Sequence, residues 1–256
     1  MKWVEGFDYK LACDGYDLSI KFDGNLLNEL AVKYAHKHCK IDELPNAEEF
    51  ITSCIHKRQE LNLTPRDIPT ELCDKYEVGY FETSPESCFD SPYILFNEHE
   101  LNYWTKADTD LWGLQFLVVP SRDYNGKINE IGFRLLNQER VKESFKWLFP
   151  YGQQATFGLH LCNQNEPLLL VEGFQDMLAF RESGYDNVVG LGSVTVTDAH
   201  KEQLKTDDYI FCQDMDSYGM RVRTDFSKTC FYVPKGKDPY AVWQEHGQVD
   251  ILKIDE

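Results

Sequence analysis

The sequence lacks the marks of an exported or membrane-spanning protein. Its first residues have no signal-peptide pattern, and no apolar run approaches the length of about 18 residues that a transmembrane helix needs. Mean hydropathy is −0.48, which is ordinary for a chain that folds in water. We therefore expect a cytoplasmic protein without a membrane partner.

Closely spaced cysteine pairs are also absent. The eight cysteines are scattered singly, and no Cys-x-x-Cys occurs. In a chain of 256 residues without an export signal, such cysteines are usually reduced core residues. The group His36, His38 and Cys39, with Cys13 or Cys54, fits no typical zinc spacing. The pattern favours helix-surface or core positions over a zinc site.

Basic residues are few. The chain has 26 lysines and arginines against 43 aspartates and glutamates, a net charge of −17. This balance excludes wholesale wrapping by DNA or RNA, because phosphate contacts need lysine and arginine. It leaves room for a local basic groove, and metal-binding carboxylates would account for part of the acidic surplus.

Hydrophobic periodicity divides the chain into three parts. Residues 1–110 read as a mainly helical, mixed α+β subdomain, and helices are predicted over residues 25–40, 47–59 and 69–75. Residues 111–160 contain two strands joined at Asn125-Gly126, a strong hairpin signal.

Residues 161–256 alternate between strand and helix patterns. The run PLLLV is followed by the helical pattern FQDMLAFRESG, and NVVGL by TDAHKEQLK, with Thr197 as a plausible N-cap. DYIFCQD and CFYVP are further strands, and DPYAVWQEHG is a last helix. This alternation predicts an α/β fold, with a parallel sheet flanked by helices.

Acidic residues follow three strands of this predicted sheet. Glu172 ends the first strand, and Asp176 lies one helical turn further on. Asp214 and Asp216 follow the third strand, and Asp238 comes after the fourth. Because functional groups collect at the carboxyl ends of parallel strands, we expect these carboxylates to converge. Clustered carboxylates repel each other unless a cation lies among them, and hard oxygen ligands suit Mg²⁺ or Mn²⁺.

Each acidic motif is weak by itself, since a single aspartate after a strand is usually a helix cap or a solvated loop residue. The motifs gain weight from occurring at successive strand ends with a glycine-rich segment between them. In this order they resemble the Toprim domain, and most closely that of bacterial-type replicative primases of the DnaG kind. The matching segments are Glu172-Gly173 with Asp176, Gly190 to Ser193, Asp214-x-Asp216 with Gly219, and Gly236 to Pro239.

The resemblance continues more faintly upstream, over roughly residues 50–250 in total. It includes the hairpin with Gly132-Phe133-Arg134, a lysine at Lys142 or Lys146, and Phe157-Gly158-Leu159. The resemblance implies a Toprim sheet preceded by a primase-core-like subdomain. It also implies a nucleotidyltransferase that synthesises short RNA primers on a single-stranded DNA template from nucleoside triphosphates, with Mg²⁺ or Mn²⁺.

Residue roles follow from the same resemblance. Glu172 is the expected general acid or base, and it shares metal binding with the four aspartates. Contacts to template or nucleotide phosphates are expected from Arg134, Lys142, Lys146 and Arg221.

Two departures keep other functions open. No segment has the spacing of the zinc ribbon that usually begins these primases, and none matches their helicase-interaction region. A separate helicase or zinc-binding protein acting in trans would supply these parts, as would suit a compact phage or mobile-element protein in a bacterial cytoplasm. The alternatives are a metal-dependent Toprim nuclease and a catalytically silent Toprim scaffold that acts with a replication partner.

Overall fold

A computed structural model describes residues 47–84, 113–137, 147–149, 154–212 and 238–249, and four further short strands as backbone. The strands are β1 (Tyr9–Cys13), β2 (Tyr16–Ile20), β3 (Gly79–Glu82), β4 (Gln115–Arg122), β5 (Ile128–Leu135), β6 (Trp147–Leu148), β7 (Leu168–Val171), β8 (Val188–Gly190), β9 (Tyr209–Cys212), β10 (Cys230–Tyr232) and β11 (Leu252–Lys253). The α-helices are α1 (Ala47–Glu60), α2 (Thr70–Lys75), α3 (Phe174–Glu182), α4 (Asp198–Leu204) and α5 (Pro239–His246). Two 3₁₀ turns cover Pro65–Asp67 and Leu159–Leu161.

The upstream sheet is antiparallel, with strand order β3-β4-β5-β6. Strands β4 and β5 form the hairpin predicted at Asn125-Gly126. Gly126 has φ +81°, and the Asp123 carboxylate accepts the backbone N–H groups of Asn125 (2.8 Å) and Lys127 (3.0 Å). These bonds close the turn, as Asx turns do. Because β3 belongs to this sheet, the division that we drew at residue 110 passes between two paired strands.

Helix α1 packs on this sheet through aromatic rings. Phe50 of α1 contacts Phe81 and Phe133 with ring centroids 6.0 Å apart in both pairs. Phe116 completes the cluster, at 6.1 Å from Phe133 in a T-shaped arrangement. All four rings are buried, and each contributes about 1.5–3 kcal/mol by removal of apolar surface from water.

The second sheet has the order β11-β10-β9-β7-β8, and its strands β10, β9, β7 and β8 are parallel. This confirms the predicted α/β sheet. The central strand β7 is buried along its whole length, and its residues alternate between two cores. Leu169 and Val171 pack with α3, whereas Leu168 and Leu170 pack with Leu204 of α4. Helices therefore cover both faces, as a continuous apolar strand requires.

The helices around this sheet lie where periodicity placed them. Helix α3 begins after Gly173, and Gly184 follows it with φ +94°. Helix α4 has the predicted cap, since the Thr197 hydroxyl accepts the backbone N–H of His200 at 3.3 Å. Upstream, α1 and α2 confirm the helices predicted at 47–59 and 69–75, whereas the helix predicted at 25–40 lies outside the described residues.

Directional hydrogen bonds join the upstream sheet to Thr156 and to helix α4, which packs on the second sheet. The Ser121 hydroxyl of β4 accepts the Thr156 backbone N–H at 2.8 Å. The Gln203 side chain of α4 accepts bonds from the Thr156 hydroxyl (2.9 Å) and from the Asn129 amide of β5 (2.8 Å). The Tyr124 hydroxyl donates to the Leu204 carbonyl at 2.9 Å. The upstream sheet is thus fixed against α4. Among the helices described, none is long and apolar enough to cross a membrane.

Candidate active site

A cavity of about 770 Å³ lies at the carboxyl ends of β7 and β8. Glu172 follows β7, and Gly192 and Ser193 follow β8 along the cavity wall. The charged residues that line it are Arg66, Asp67, Arg134, Glu172, Asp176 and Asp238. They come from all three parts of the chain, so the fold collects both signs of charge at one edge of the sheet.

Glu172 is held through its own backbone. The Leu191 N–H donates to the Val171 carbonyl (2.9 Å), and the Ser193 N–H donates to the Glu172 carbonyl (3.2 Å). The hydrogen bonding between β7 and β8 thus continues beyond both strands, between Glu172 and the segment that follows β8. Gly190 permits this approach, because a Cβ there would lie 2.6 Å from the Gly173 carbonyl oxygen.

Asp176 turns back onto the start of its own helix. Its Oδ2 accepts the Gly173 backbone N–H at 2.9 Å, which satisfies one of the N–H groups left free at a helix N-terminus. A Cβ on Gly173 would lie 2.7 Å from that oxygen, so the glycine makes room for the carboxylate. Asp176 is buried and lines the cavity. Its position agrees with the one-turn spacing seen in the sequence.

Asp238 is the N-cap of α5. Its Oδ1 accepts the Ala241 backbone N–H at 2.7 Å, and Pro239 occupies the first helical position. Asp238 is exposed at the cavity rim. It therefore combines the ordinary role of a helix cap with a place in the cavity that Glu172 and Asp176 also line.

The other predicted site residues lie outside the described residues. They are Asp214, Asp216, Lys142, Lys146 and Arg221. Strand β9 ends at Cys212, which pairs with Val171 at the end of parallel strand β7. The two strands therefore end at the same edge of the sheet, where the cavity lies. Convergence of Asp214 and Asp216 with Glu172 stays a prediction.

The donor chemistry of the cavity fits a hard divalent cation, since its candidate ligands are carboxylate oxygens. Within the part of the chain that the structure describes, no three His, Cys, Asp or Glu side chains are grouped so as to hold a metal ion. Asp214 and Asp216, which the sequence predicts as further ligands, lie outside the described residues.

Arg134 of strand β5 lines the same cavity as the acidic residues. Its guanidinium carbon lies 5.8 Å from the centre of the Trp147 ring, and its Nε is buried without a hydrogen-bond partner among the described residues. Burial, and secondly the positive charge of the nearby Arg66, lower the pKa of Arg134 to about 10. The side chain is still cationic at neutral pH.

Arg66 is a site residue that the sequence did not single out. It lies in the 3₁₀ turn and has φ +55°, and the next residue, Asp67, has φ +58°. Two successive non-glycine residues in the left-handed region are strained, and such strain is concentrated at functional sites. The Tyr240 hydroxyl of α5 donates to the Asp67 carbonyl at 3.2 Å and so ties the turn to the cavity. The only signal in the sequence was an arginine after proline between two helices.

The two guanidinium groups interact electrostatically across the cavity. The pKa of Arg66 is lowered, first by loss of water around it, although the residue is exposed at the rim. Asp238 and then Asp176 oppose this and favour the charged form. Two guanidinium groups that line one cavity can together bind an anion, and their planar donors match phosphate oxygens.

Residues 169–240 match the Toprim-like family, as the motifs predicted. Curated relatives include DNA primases of Rickettsia prowazekii (28% identical over 158 residues, 54% of this chain and 27% of the relative) and Rickettsia typhi (22% over 300 residues, 97% and 50%). The Legionella pneumophila DNA primase is 24% identical over 221 residues, or 75% of this chain and 38% of the relative. The chain thus spans about a quarter to a half of the length of these relatives.

Solved structures share the fold at low sequence identity. The RNA polymerase domain of Mycobacterium tuberculosis primase DnaG, in complex with double-stranded DNA, superposes with a TM-score of 0.52 at 18% identity, covering 86% of this chain and 76% of that one. The zinc-binding and RNA polymerase domains of the Aquifex aeolicus primase give 0.50 at 19% identity, covering 91% and 63%. The chain therefore carries a Toprim-like domain within the fold of a bacterial DnaG-type primase catalytic core.

Proposed function

We propose that this chain is a primase-type nucleotidyltransferase that synthesises short RNA primers on single-stranded DNA. One observation carries the proposal: the carboxylates Glu172 and Asp176 and the guanidinium groups of Arg66 and Arg134 line the same cavity. Nucleotidyl transfer needs both, because the reacting group is an anionic phosphate and charge develops on the attacking and leaving oxygens. The primases among the relatives make this chemistry the natural candidate.

The acidic side of the cavity would do the proton and metal chemistry. Glu172 would accept the proton of the attacking hydroxyl as general base. Asp176, Asp214, Asp216 and Asp238, together with Glu172, would hold Mg²⁺ or Mn²⁺. A bound ion of this kind supplies charge stabilisation at the phosphate oxygens and helps to orient the substrate. The bonds of Asp176 and Asp238 to helix N–H groups fix the direction of both carboxylates beforehand.

The basic side would bind nucleic acid and nucleotide. Arg134 and Arg66 would contact phosphates within the cavity, and Lys142, Lys146 and Arg221 would extend this surface. A guanidinium whose buried Nε has no hydrogen-bond partner in the described part of the chain gains more from an incoming phosphate than a solvated surface charge does. The small number of basic residues in the chain then suits binding along one groove.

Partners and cell compartment belong to the same proposal. The substrates would be a single-stranded DNA template and nucleoside triphosphates, in the cytoplasm of a bacterium or of the bacterial host of a phage. A helicase or a zinc-binding protein would act in trans.

The test is primer synthesis by the purified chain with single-stranded DNA, labelled nucleoside triphosphates and Mg²⁺ or Mn²⁺. We expect short RNA products. The Glu172→Gln variant keeps the size of the side chain and loses the base, so turnover should fall about 100-fold or more. The double variant Asp214→Ala with Asp216→Ala should be inactive but folded.

The matched control is Asp207→Asn, which removes one negative charge from an exposed residue before the amino end of β9. It should keep wild-type activity. Full synthesis by the double variant would refute the metal-site argument. Shortening of labelled DNA without triphosphates would instead identify a nuclease, and neither activity, with retention of a replication partner, would identify a scaffold.

A further inference from the structure

His200 of α4 is fully buried and lies outside the lining of the cavity. Its Nδ1 is 3.1 Å from the Thr197 backbone nitrogen and 3.0 Å from the Thr197 hydroxyl. Its Nε2 is 3.2 Å from the Leu191 carbonyl oxygen. One imidazole ring therefore reaches both ends of the segment from Leu191 to Thr197.

The partners determine where the ring carries its proton. A backbone N–H only donates, so Nδ1 accepts from Thr197, and a carbonyl only accepts, so Nε2 carries the hydrogen and donates to Leu191. Burial lowers the pKa of His200, against the opposing effect of the Leu191 and Ala155 carbonyls, and this keeps the ring neutral. The neutral tautomer satisfies a donor and an acceptor at the same time.

The segment that His200 spans forms part of the cavity wall. Gly192, Ser193 and Val194 all line the cavity. The Ser193 N–H donates to the Glu172 carbonyl at 3.2 Å, and the Thr195 N–H donates to the Ser193 hydroxyl at 3.2 Å. Between the two residues held by the imidazole, Gly192 has φ +61°, and a Cβ there would lie 2.7 Å from the Phe149 ring. The segment is therefore a tight loop, and the imidazole of His200 bonds to both of its ends.

We propose that His200 is a positioning residue that clamps residues 191–197 so that Ser193 holds the Glu172 backbone at the cavity. The chain of contacts runs from the ring to Leu191, through the loop to Ser193, and from Ser193 to Glu172. The proposal rests on the proposed function, since it assigns Glu172 to the reacting centre. A histidine that only fills the core would also be buried, but substitution would then not affect Ser193 selectively.

Two amide substitutions separate the two bonds of the ring. In His200→Gln the side-chain amide reaches the place of Nε2 and can still donate to Leu191. In His200→Asn the shorter amide keeps an acceptor near Nδ1 for Thr197 and loses the tie to Leu191. Glu202→Gln, on the exposed surface of the same helix, is the control.

The primary measurement is amide hydrogen exchange without metal or substrate. We expect the Ser193 amide to exchange about five- to tenfold faster in His200→Asn, as for loss of about one net hydrogen bond, and at nearly the native rate in His200→Gln and Glu202→Gln. Primer-synthesis kcat should fall by a similar factor in His200→Asn alone, with KM for nucleotide unchanged. The proposal is overturned if the Ser193 amide exchanges at the native rate in both histidine variants. It is also overturned if the exchange rate rises equally in both.

If His200→Asn does not fold, amide hydrogen exchange of the wild-type chain tests the proposal instead. The Ser193 and Thr197 amides should then open together as one unit, and independent opening of Ser193 overturns the clamp. An inactive wild-type chain refutes the proposed function, but the exchange pattern still tests the clamp.

Discussion

Replacing Asp238 separates its two roles, as a helix cap and as a cavity carboxylate. Its Oδ1 accepts the Ala241 N–H at 2.7 Å, an interaction that asparagine provides about as well as aspartate. Asp238→Asn should therefore keep the stability of the chain, whereas Asp238→Ala should lose about 1 kcal/mol of unfolding free energy. For a chain of this size that loss corresponds to about 2–4 °C in Tm.

The affinity for Mn²⁺, measured without substrate, should instead depend on the charge of the side chain at position 238. Both variants remove the same carboxylate, so both should bind Mn²⁺ at least about tenfold more weakly, or about 1.4 kcal/mol. Urea unfolding and titration calorimetry measure the two effects, and Asp207→Asn serves as the charge control. Wild-type Mn²⁺ affinity in Asp238→Asn would refute the assignment of Asp238 to the metal site. Unchanged stability in Asp238→Ala would refute the capping argument.

Three other substitutions test other parts of the structure. Gly190→Ala places a Cβ 2.6 Å from the Gly173 carbonyl oxygen, so the free energy of unfolding measured in urea should fall by about 1–3 kcal/mol. A urea midpoint equal to that of the wild type would contradict the close approach. Arg134→Ala should weaken binding of single-stranded DNA and make the negative slope of log K against log salt concentration shallower by about 0.7, as for loss of one phosphate contact. An unchanged slope in a salt titration would exclude that contact. The hydrogen bond from Arg122 lowers the pKa of Glu48, so this pair stabilises the fold above the ordinary glutamate pKa and loses that contribution as pH falls through the lowered value. Unfolding free energy should therefore fall less steeply on acidification in Glu48→Gln than in wild type, and parallel curves would contradict the coupling.

Local features of the site could be predicted well from the sequence. The apolar run of β7 and the spacing of Glu172 and Asp176 depend on neighbouring residues only, and so does the Asn125-Gly126 hairpin. These are short-range consequences of side-chain periodicity and turn chemistry, and the structure agrees with them. The Toprim resemblance rested on the same local motifs and is confirmed.

Long-range features could not be predicted in this way. Arg66 reaches the cavity because Tyr240, 173 residues after Asp67, fixes the turn, and no local pattern records such a bond. The second role of Asp176, as acceptor for Gly173, depends on a side-chain direction that spacing leaves open. The placement of Asp214 and Asp216 stays a prediction for the same reason, because it depends on where the chain goes after β9.

The hydrogen bonds that join Ser121, Thr156, Asn129 and Gln203 have a mechanical consequence. Such bonds weaken steeply when their angle changes, so rotation of one sheet against the other would break several of them at once. Arg134 on β5 and Glu172 after β7 are carried by these two sheets, and their separation is set by the scaffold. Any widening of the cavity would consequently have to come from side chains and short turns at its rim, because these hydrogen bonds resist movement of the scaffold behind it.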